Sequence, residues 1–302
     1  PADKPFYRPR NLILATLAIL AVIVSYQVYL ALTARPGRTI DYAAKMAELI
    51  ESNQPTDAGP DAWPVLRDII ERQTTVESDL RAVSPGPVLD YSALYVPHLK
   101  PIYDDNYSWD QAESLALRGL DAMKAAGIFD SLKQLKDMRR AIRPTPRAPL
   151  IEILLPELGH ARQLARMNGA RMRKALRGHD EPEFAEAYEE TLALGRMMCL
   201  QVTFIEPLVG IAIVALADNQ VRDAMTEHPL SAAGCESLLA AMDRQLPLTP
   251  ISAALEGERL STLDIIQWTH TDDGHGSGRL ILSSLSQLGG SVGGAGGARL
   301  DE

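Results

Sequence analysis

The longest apolar stretch of the chain lies near its start, at residues 11–32, and reads NLILATLAILAVIVSYQVYLAL. It contains no charged residue and is about as long as a helix that crosses a bilayer. The side chains predicted to contact lipid include Ile13, Leu17, Leu20, Val22 and Val24. The pattern predicts a transmembrane anchor at residues 11–32, preceded by an N-terminal flank at residues 1–10, with membrane lipid as a partner.

A cleaved signal peptide is the competing interpretation of this stretch. Its apolar core is longer than that of a typical signal peptide, and ALTA at residues 31–34 offers poor cleavage sites. Basic residues flank the stretch on both sides, so positive charge defines its orientation only weakly. The short flank before it and the long chain after it favour a signal-anchor. We therefore predict a single-pass protein of the cell membrane, with the main domain outside the cytoplasm.

A second apolar stretch, at residues 197–217, is long enough to be compared with a membrane span. Glu206 and Pro207 interrupt it. A charge in the middle of a bilayer is costly, and proline breaks the helical hydrogen-bond ladder. We therefore predict two buried helices that meet at Pro207, and one membrane crossing in total.

Helical spacing of apolar positions recurs through the remainder of the chain, and the abundance of Leu, Ala and Met over aromatics also favours helices. The predicted helices cover residues 39–51, 63–72, 108–127, 129–142, 158–176, 183–202, 208–225, 232–244 and 251–268. A Gly-His-Asp turn at residues 178–180 makes two of them an antiparallel hairpin. The predicted fold class is all-α, with an N-terminal transmembrane helix followed by an irregular multi-helix domain of antiparallel helical hairpins.

Pro, Tyr and Gly mark the less regular parts of the chain. Residues 33–107 are predicted to hold juxtamembrane helices and a Pro- and Tyr-rich irregular segment, in which tyrosines serve as a binding surface or attach the loop to the core. Residues 108–286 are predicted to form the helical domain. The glycine-rich residues 287–302 predict a disordered tail.

Charge is distributed unevenly along the predicted hairpin. The net charge of −9 argues against a nucleic-acid partner for the chain as a whole. A basic group nevertheless precedes a run of acids at residues 180–190, and its members are Arg166, Arg171, Arg173, Lys174 and Arg177. These residues could bind an anionic polymer, lipid headgroups or an acidic partner. The favoured alternative is that they pair with the acids across the hairpin seam.

A group of carboxylates and histidines occupies the segment at residues 264–278. Its members, Asp264, His270, Asp272, Asp273 and His275, offer ligand types that divalent cations use. Their spacing matches neither a calcium loop nor an H-E-x-x-H helix. The favoured alternative is a solvated helix end with ordinary turn chemistry. We expect no cofactor, with a divalent metal here as the alternative.

No catalytic signature occurs in the chain: it has no G-x-S-x-G, no phosphate-binding loop and no dinucleotide fingerprint. Glu206 lies in an apolar run, so if it is buried we expect an arginine partner. Glu256 and Glu258 lie near Arg259, without an accompanying nucleophile. Ion pairs are therefore favoured over acid–base catalysis for these carboxylates, and we assign no catalytic residue.

Two cysteines do not make a disulfide framework. Cys199 and Cys235 both lie in predicted helices. They could form one bridge in an oxidising compartment, although two buried thiols are the favoured outcome.

The stretch at residues 257–278, GERLSTLDIIQWTHTDDGHGSG, and PLVGIAIVALA at residues 207–217 resemble a pattern in uncharacterised single-pass membrane proteins of planctomycete-type bacteria. The resemblance implies a bacterial envelope protein and implies no activity. We expect a non-catalytic scaffold or protein-interaction domain of the envelope, with a protein partner. The alternative is a metal- or ligand-binding domain, even a hydrolytic one, that uses residues 264–278.

Overall fold

A computed structural model describes residues 9–33, 37, 40–56, 59–83, 91, 109–144, 149–150, 155–271, 278 and 280–281. Within these residues the chain forms ten α-helices and no strand, which confirms the all-α prediction. They are α1 (Pro9–Thr33), α2 (Tyr42–Ser52), α3 (Trp63–Val83), α4 (Trp109–Ala125), α5 (Ile128–Leu135), α6 (Pro156–Arg177), α7 (Glu181–Cys199), α8 (Ile205–Glu227), α9 (Ala232–Gln245) and α10 (Ser252–Thr269). The predicted tail and most of the Pro- and Tyr-rich segment lie outside the described residues.

The chain divides into two compact units. The first comprises Pro1–Ala43, Pro146–Ile153 and Leu260–Glu302. It contains α1, in which Leu12–Tyr29 has a mean hydropathy of 2.2 and exposed side chains. Among the described helices, α1 is the one long and apolar enough to cross a membrane. A helix of this kind near an N-terminus serves as a membrane anchor or as a signal sequence.

The second unit, Ala44–Thr145 and Leu154–Arg259, holds the hydrophobic core. Its central element is α7, which packs against α5, α6, α8 and α9. The C-terminal half of α7 shares one apolar cluster with α3–α6, and its N-terminal half shares another with α8 and α9. Tyr91, from the Pro- and Tyr-rich segment, is fully buried in the first cluster.

The predicted hairpin is confirmed as α6 and α7. Pro182 lies in the first turn of α7, where its missing N–H costs nothing, and Asp180 caps that helix by accepting from the backbone N–H of Glu183 at 3.1 Å. His179 adopts a positive φ of 57° and completes the short turn. The two helices therefore lie antiparallel, and Arg171 of α6 meets carboxylates of α7.

The second apolar stretch is interrupted as predicted, but at a different place. α7 ends at Cys199 and α8 begins at Ile205, so residues 200–204 form the break. Pro207 lies in the first turn of α8, a position where proline is compatible with a helix because the N–H groups there have no helical partner. The prediction that the helices meet at Pro207 is therefore wrong in position.

Candidate functional site

Arg171 of α6 is the centre of the charged seam between α6 and α7. It is buried, and its Nη1 donates to Oε2 of Glu190 at 2.5 Å. Its Nε donates to Oε1 of Glu183 at 2.5 Å, and Glu186 lies 3.9 Å from Nη2. The guanidinium also stacks over the ring of Phe129 at 4.4 Å. One arginine therefore serves three carboxylates on one face of α7.

Glu190 is the most deeply buried of those carboxylates. Its Oε2 binds Arg171, while its Oε1 has no hydrogen-bond partner among the described residues. Burial raises the pKa of Glu190 to about 7, against the opposing attraction of Arg171. Glu186 also pairs with Lys133 at 2.7 Å, whereas Glu190 has Arg171 as its one ion-pair partner among the described residues.

The other members of the predicted basic group also meet acids when the chain folds. The pairs are Arg173 with Glu227, Lys174 with Asp121 and Arg177 with Glu113. These acids come from α4 and α8, not from the acidic run in α7. Arg166 is exposed, with no acidic partner in the described part of the chain. Pairing neutralises four of the five cations in place, and binding of an anionic partner by this group stays a prediction.

A cavity of about 390 Å³ lies beside the C-terminal end of α7. Among the described residues that line it, every charged one is an arginine: Arg139, Arg196 and Arg244. Leu200, Leu246 and two prolines give it apolar walls, with Gln245 and two threonines as neutral polar groups. The three arginines come from separate segments, which are α7, the end of α9 and the link after α5.

Arg196 is the buried cation of this cavity, with 6 % of its surface exposed. Its Nε donates to Oε1 of Gln245 at 3.1 Å, and its Nη2 donates to the carbonyl oxygen of Met138 at 2.8 Å. Both acceptors are neutral. Burial, with the like charge of Arg139 as a smaller cause, lowers the pKa of Arg196 to about 10. Arg196 is therefore a buried cation without a carboxylate partner among the described residues.

The other two arginines differ in how well they are compensated. Arg244 forms a bidentate pair with Glu189, at 2.7 and 2.9 Å. Gln245 also donates to Glu189 at 3.1 Å, which fixes the Gln245 oxygen toward Arg196. Arg139 donates to the backbone carbonyl oxygen of Arg244. Within the described part of the chain, Arg139 and Arg196 thus carry the positive charge of the cavity that no carboxylate compensates.

Glu206 is buried and has the arginine partner that the sequence predicts. Nη1 of Arg143 donates to its Oε1 at 3.1 Å, and the Thr203 hydroxyl donates to its Oε2 at 2.7 Å. Burial raises the pKa of Glu206, with Arg143 acting in the opposite direction. Glu206 lies with Arg143 and Thr203 at the start of α8. Its arrangement is that of a structural ion pair.

The predicted metal ligands fall partly outside the described residues, which exclude Asp272, Asp273 and His275. Asp264 is buried, and its carboxylate accepts from the backbone N–H of Leu150 at 2.7 Å. His270 lies at the end of α10, where its Nδ1 is 2.9 Å from the Thr269 hydroxyl. The described residues contain no group of three or more His, Cys, Asp or Glu side chains placed to hold a metal ion. The metal site stays a prediction.

The two cysteines are free thiols, so the alternative of a Cys199–Cys235 bridge is not realised. Cys199 is buried, with its sulfur 3.7 Å from the carbonyl oxygen of Pro207. Burial raises the pKa of Cys199 to about 11, which disfavours the reactive thiolate. Cys235 is half-buried on α9.

An apolar stripe runs along the exposed side of α8. Phe204, Ile205, Leu208 and Ile211 are between 37 and 46 % exposed and follow one another at helical spacing. Ala212 and Ala215 extend the stripe for another turn. The exposed positions from 204 to 219 carry no charge, whereas a solvated helix face is normally rich in charged residues. We call these six residues the α8 stripe.

Neither the α8 stripe nor the arginine cavity was identified from the sequence. The stripe is hidden because α8 is apolar on both sides, so no periodicity separates its buried and exposed faces. One feature of the sequence points to the cavity: a lone arginine, Arg196, lies in the apolar run at residues 192–200.

Comparison with protein-family models, with curated proteins and with solved structures finds no match for this chain.

Proposed function

We propose that this chain is a membrane-anchored, non-catalytic interaction domain of a bacterial envelope, and that it binds a partner protein through the α8 stripe. The α8 stripe is the observation that carries the proposal. Its side chains are aliphatic or aromatic, stand at i, i+3 and i+7 spacing and lack charge. That pattern suits a second apolar helix packed alongside it. The occupant is therefore a helical segment of another protein with a matching apolar face.

The chemistry of α8 favours a protein over a lipid surface as this occupant. Helices that lie in a membrane interface carry Lys and Arg beside their apolar face. The first exposed basic residue of α8 is Arg222, beyond the end of the stripe. A lipid surface would meet no basic residue along the stripe itself.

Anchoring is the second element of the proposal. α1 crosses the bilayer and holds the helical domain outside the cytoplasm. The support for the crossing is the exposed apolar surface of Leu12–Tyr29, which is long enough to span a bilayer. A partner in or near the same membrane would then meet the α8 stripe without diffusing through bulk solution.

Site-specific photo-cross-linking in intact cells tests this function. A photo-reactive residue replaces Leu208 in the stripe, and the matched control replaces Leu239, which is exposed on α9. We expect Leu208 to cross-link to one protein at an apolar helical segment, and Leu239 to give no such product. The recombinant segment should then bind the purified chain, and Ile211→Asp should abolish that binding. Cross-links only to lipid, or only to a second copy of this chain, would overturn the proposal.

A further inference from the structure

The arginine cavity of the second unit has features of a ligand site that are independent of the α8 stripe. Its volume of about 390 Å³ lies in the range of pockets that hold small molecules. Its walls combine a few polar groups with apolar ones, and Gln245 is fixed by Glu189 on its far side. Such a lining gives both a contact area and an orientation for a bound molecule.

The charge inside the cavity is out of balance. A buried guanidinium is normally matched by a carboxylate, because removing a cation from water is costly. Arg196 instead meets the neutral oxygens of Gln245 and Met138, and it faces the like charge of Arg139. The carboxylate of Glu189 is already held by Arg244 in a bidentate pair. The described protein therefore leaves two guanidinium groups for an external anion.

We propose that this cavity binds a small molecule through a carboxylate or phosphate group, held between Arg139 and Arg196. Planar guanidinium groups match such oxyanions because their parallel N–H groups can donate to two oxygens at once. Leu200, Leu246 and Pro247 contact the body of the ligand. The ligand is thus a compact organic anion with an apolar portion, and its binding compensates the buried charge of Arg196.

Thermal unfolding of the full chain in detergent tests the site, with inorganic phosphate and acetate as separate probes. Sodium chloride at matched ionic strength is the reference. A ligand that binds the folded state raises the transition temperature in a saturable way. We expect such a rise with at least one probe at millimolar concentration. The probe that acts tells a phosphate-bearing ligand from a carboxylate-bearing one.

Three variants test whether the rise in transition temperature comes from anion binding in the cavity. Arg139→Gln and Arg196→Gln should each weaken the apparent affinity by about tenfold or more, equivalent to the loss of one charge-assisted hydrogen bond. Arg166→Gln is the matched control, because Arg166 is an exposed arginine that does not line the cavity. It should respond as the wild type does. Arg139 is only partly buried, so its variant tests the site even where Arg196→Gln fails to fold.

Two results would overturn the inference. One is the absence of a saturable shift with either probe. The other is an equal shift in the wild type and in all three variants, which would indicate the general stabilisation that phosphate exerts on folded proteins. Because no stripe residue lines the cavity, the photo-cross-linking result and the anion result fail or succeed separately.

Discussion

Gly210 of α8 faces Gly195 of α7 so closely that a Cβ atom on Gly210 would lie 2.5 Å from the carbonyl oxygen of Gly195. A Cβ atom on Gly195 would lie 2.9 Å from the carbonyl oxygen of Gly210. Both obstacles are backbone atoms, which cannot move aside as a flexible side chain can. The missing side chains are what allow the backbones of α7 and α8 to approach at this crossing.

Gly210→Ala is therefore expected to destabilise the chain by about 2 kcal/mol, because the added methyl group forces the two helices apart. Chemical unfolding of the chain in detergent, followed by circular dichroism, measures the change. Gly159→Ala is the control, since Gly159 lies in α6 with nothing within 4 Å of the added atom. That variant should gain about 0.5 kcal/mol from helix propensity. Equal changes in the free energy of unfolding for Gly210→Ala and Gly159→Ala would contradict the close approach of the α7 and α8 backbones.

The stability of the chain should depend on the protonation of Glu190. Its pKa is raised from 4.5 to about 7 in the folded state. Between these two pH values, Glu190 holds a proton in the folded chain that it has lost in the unfolded chain. The stabilisation from this group is fully present below pH 4.5 and is lost as the pH rises through about 7. Glu190→Gln cannot titrate and removes this dependence.

The measurement is the free energy of unfolding of the wild type minus that of Glu190→Gln, from pH 4.5 to pH 8. We expect this difference to fall across the range by about 1 kcal/mol or more. Glu181 and Glu189 have lowered pKa values and contribute in the opposite direction, but they are present in both proteins and cancel. A difference that stays flat or rises with pH would show that Glu190 is ionised throughout.

Removing Arg143 should expose the cost of burying Glu206. Arg143→Ala leaves that carboxylate with Thr203 alone, and breaking a buried pair in this way costs about 3 kcal/mol. Arg259→Ala breaks an exposed pair with Glu256 and should leave the unfolding midpoint close to that of the wild type. The unfolding midpoints of Arg143→Ala, Arg259→Ala and the wild type, measured under the same conditions, test this difference. A small effect at Arg143 would mean that Glu206 is protonated and needs no cation.

Membrane fractionation tests the anchor. The full chain should stay in the membrane pellet after alkaline carbonate extraction, and a variant without residues 1–33 should move to the soluble fraction. Protease added to spheroplasts should digest the helical domain if it lies outside the cytoplasm. If the helical domain of the full chain is instead found in the soluble fraction, α1 is a cleaved signal sequence.

The hairpin of α6 and α7 was predictable because every local signal agrees there. Apolar periodicity, a Gly-His-Asp turn and Pro182 all indicate the same boundaries, and the structure differs from the prediction by no more than a few residues. Such agreement between levels is what makes a segment predictable from its own sequence.

The segments around α3 and α5 were not predictable in length because distant contacts determine them. α3 continues past Arg72 to Val83, although Thr74 and Thr75 are poor helix formers. Packing of Val76 and Leu80 against the core sustains that extension. The apolar pattern predicts that α5 reaches residue 142, but the helix ends at Leu135.

Two side chains far away in sequence explain the shorter α5. The backbone N–H of Ala141 donates to the side chain of Gln54 at 2.8 Å, and that of Ile142 donates to Asp61 at 2.9 Å. These acceptors replace the helical carbonyls as partners of the two N–H groups. Asp61 and Gln54 are more than 80 residues away, so no local pattern could reveal them. The arginine cavity escaped prediction for the same reason.

The burial of α7 determines which hydrogen atoms of this protein exchange last with solvent. From Phe184 to Cys199 every residue of α7 except Glu186 is buried, and four other helices pack around it. A peripheral helix can open alone, whereas the amides of α7 become accessible only when its neighbours separate from it. The exchange rates of the α7 amides in deuterated water should therefore report the global unfolding of the second unit. The exchange rates of the α9 and α10 amides should report a more local opening.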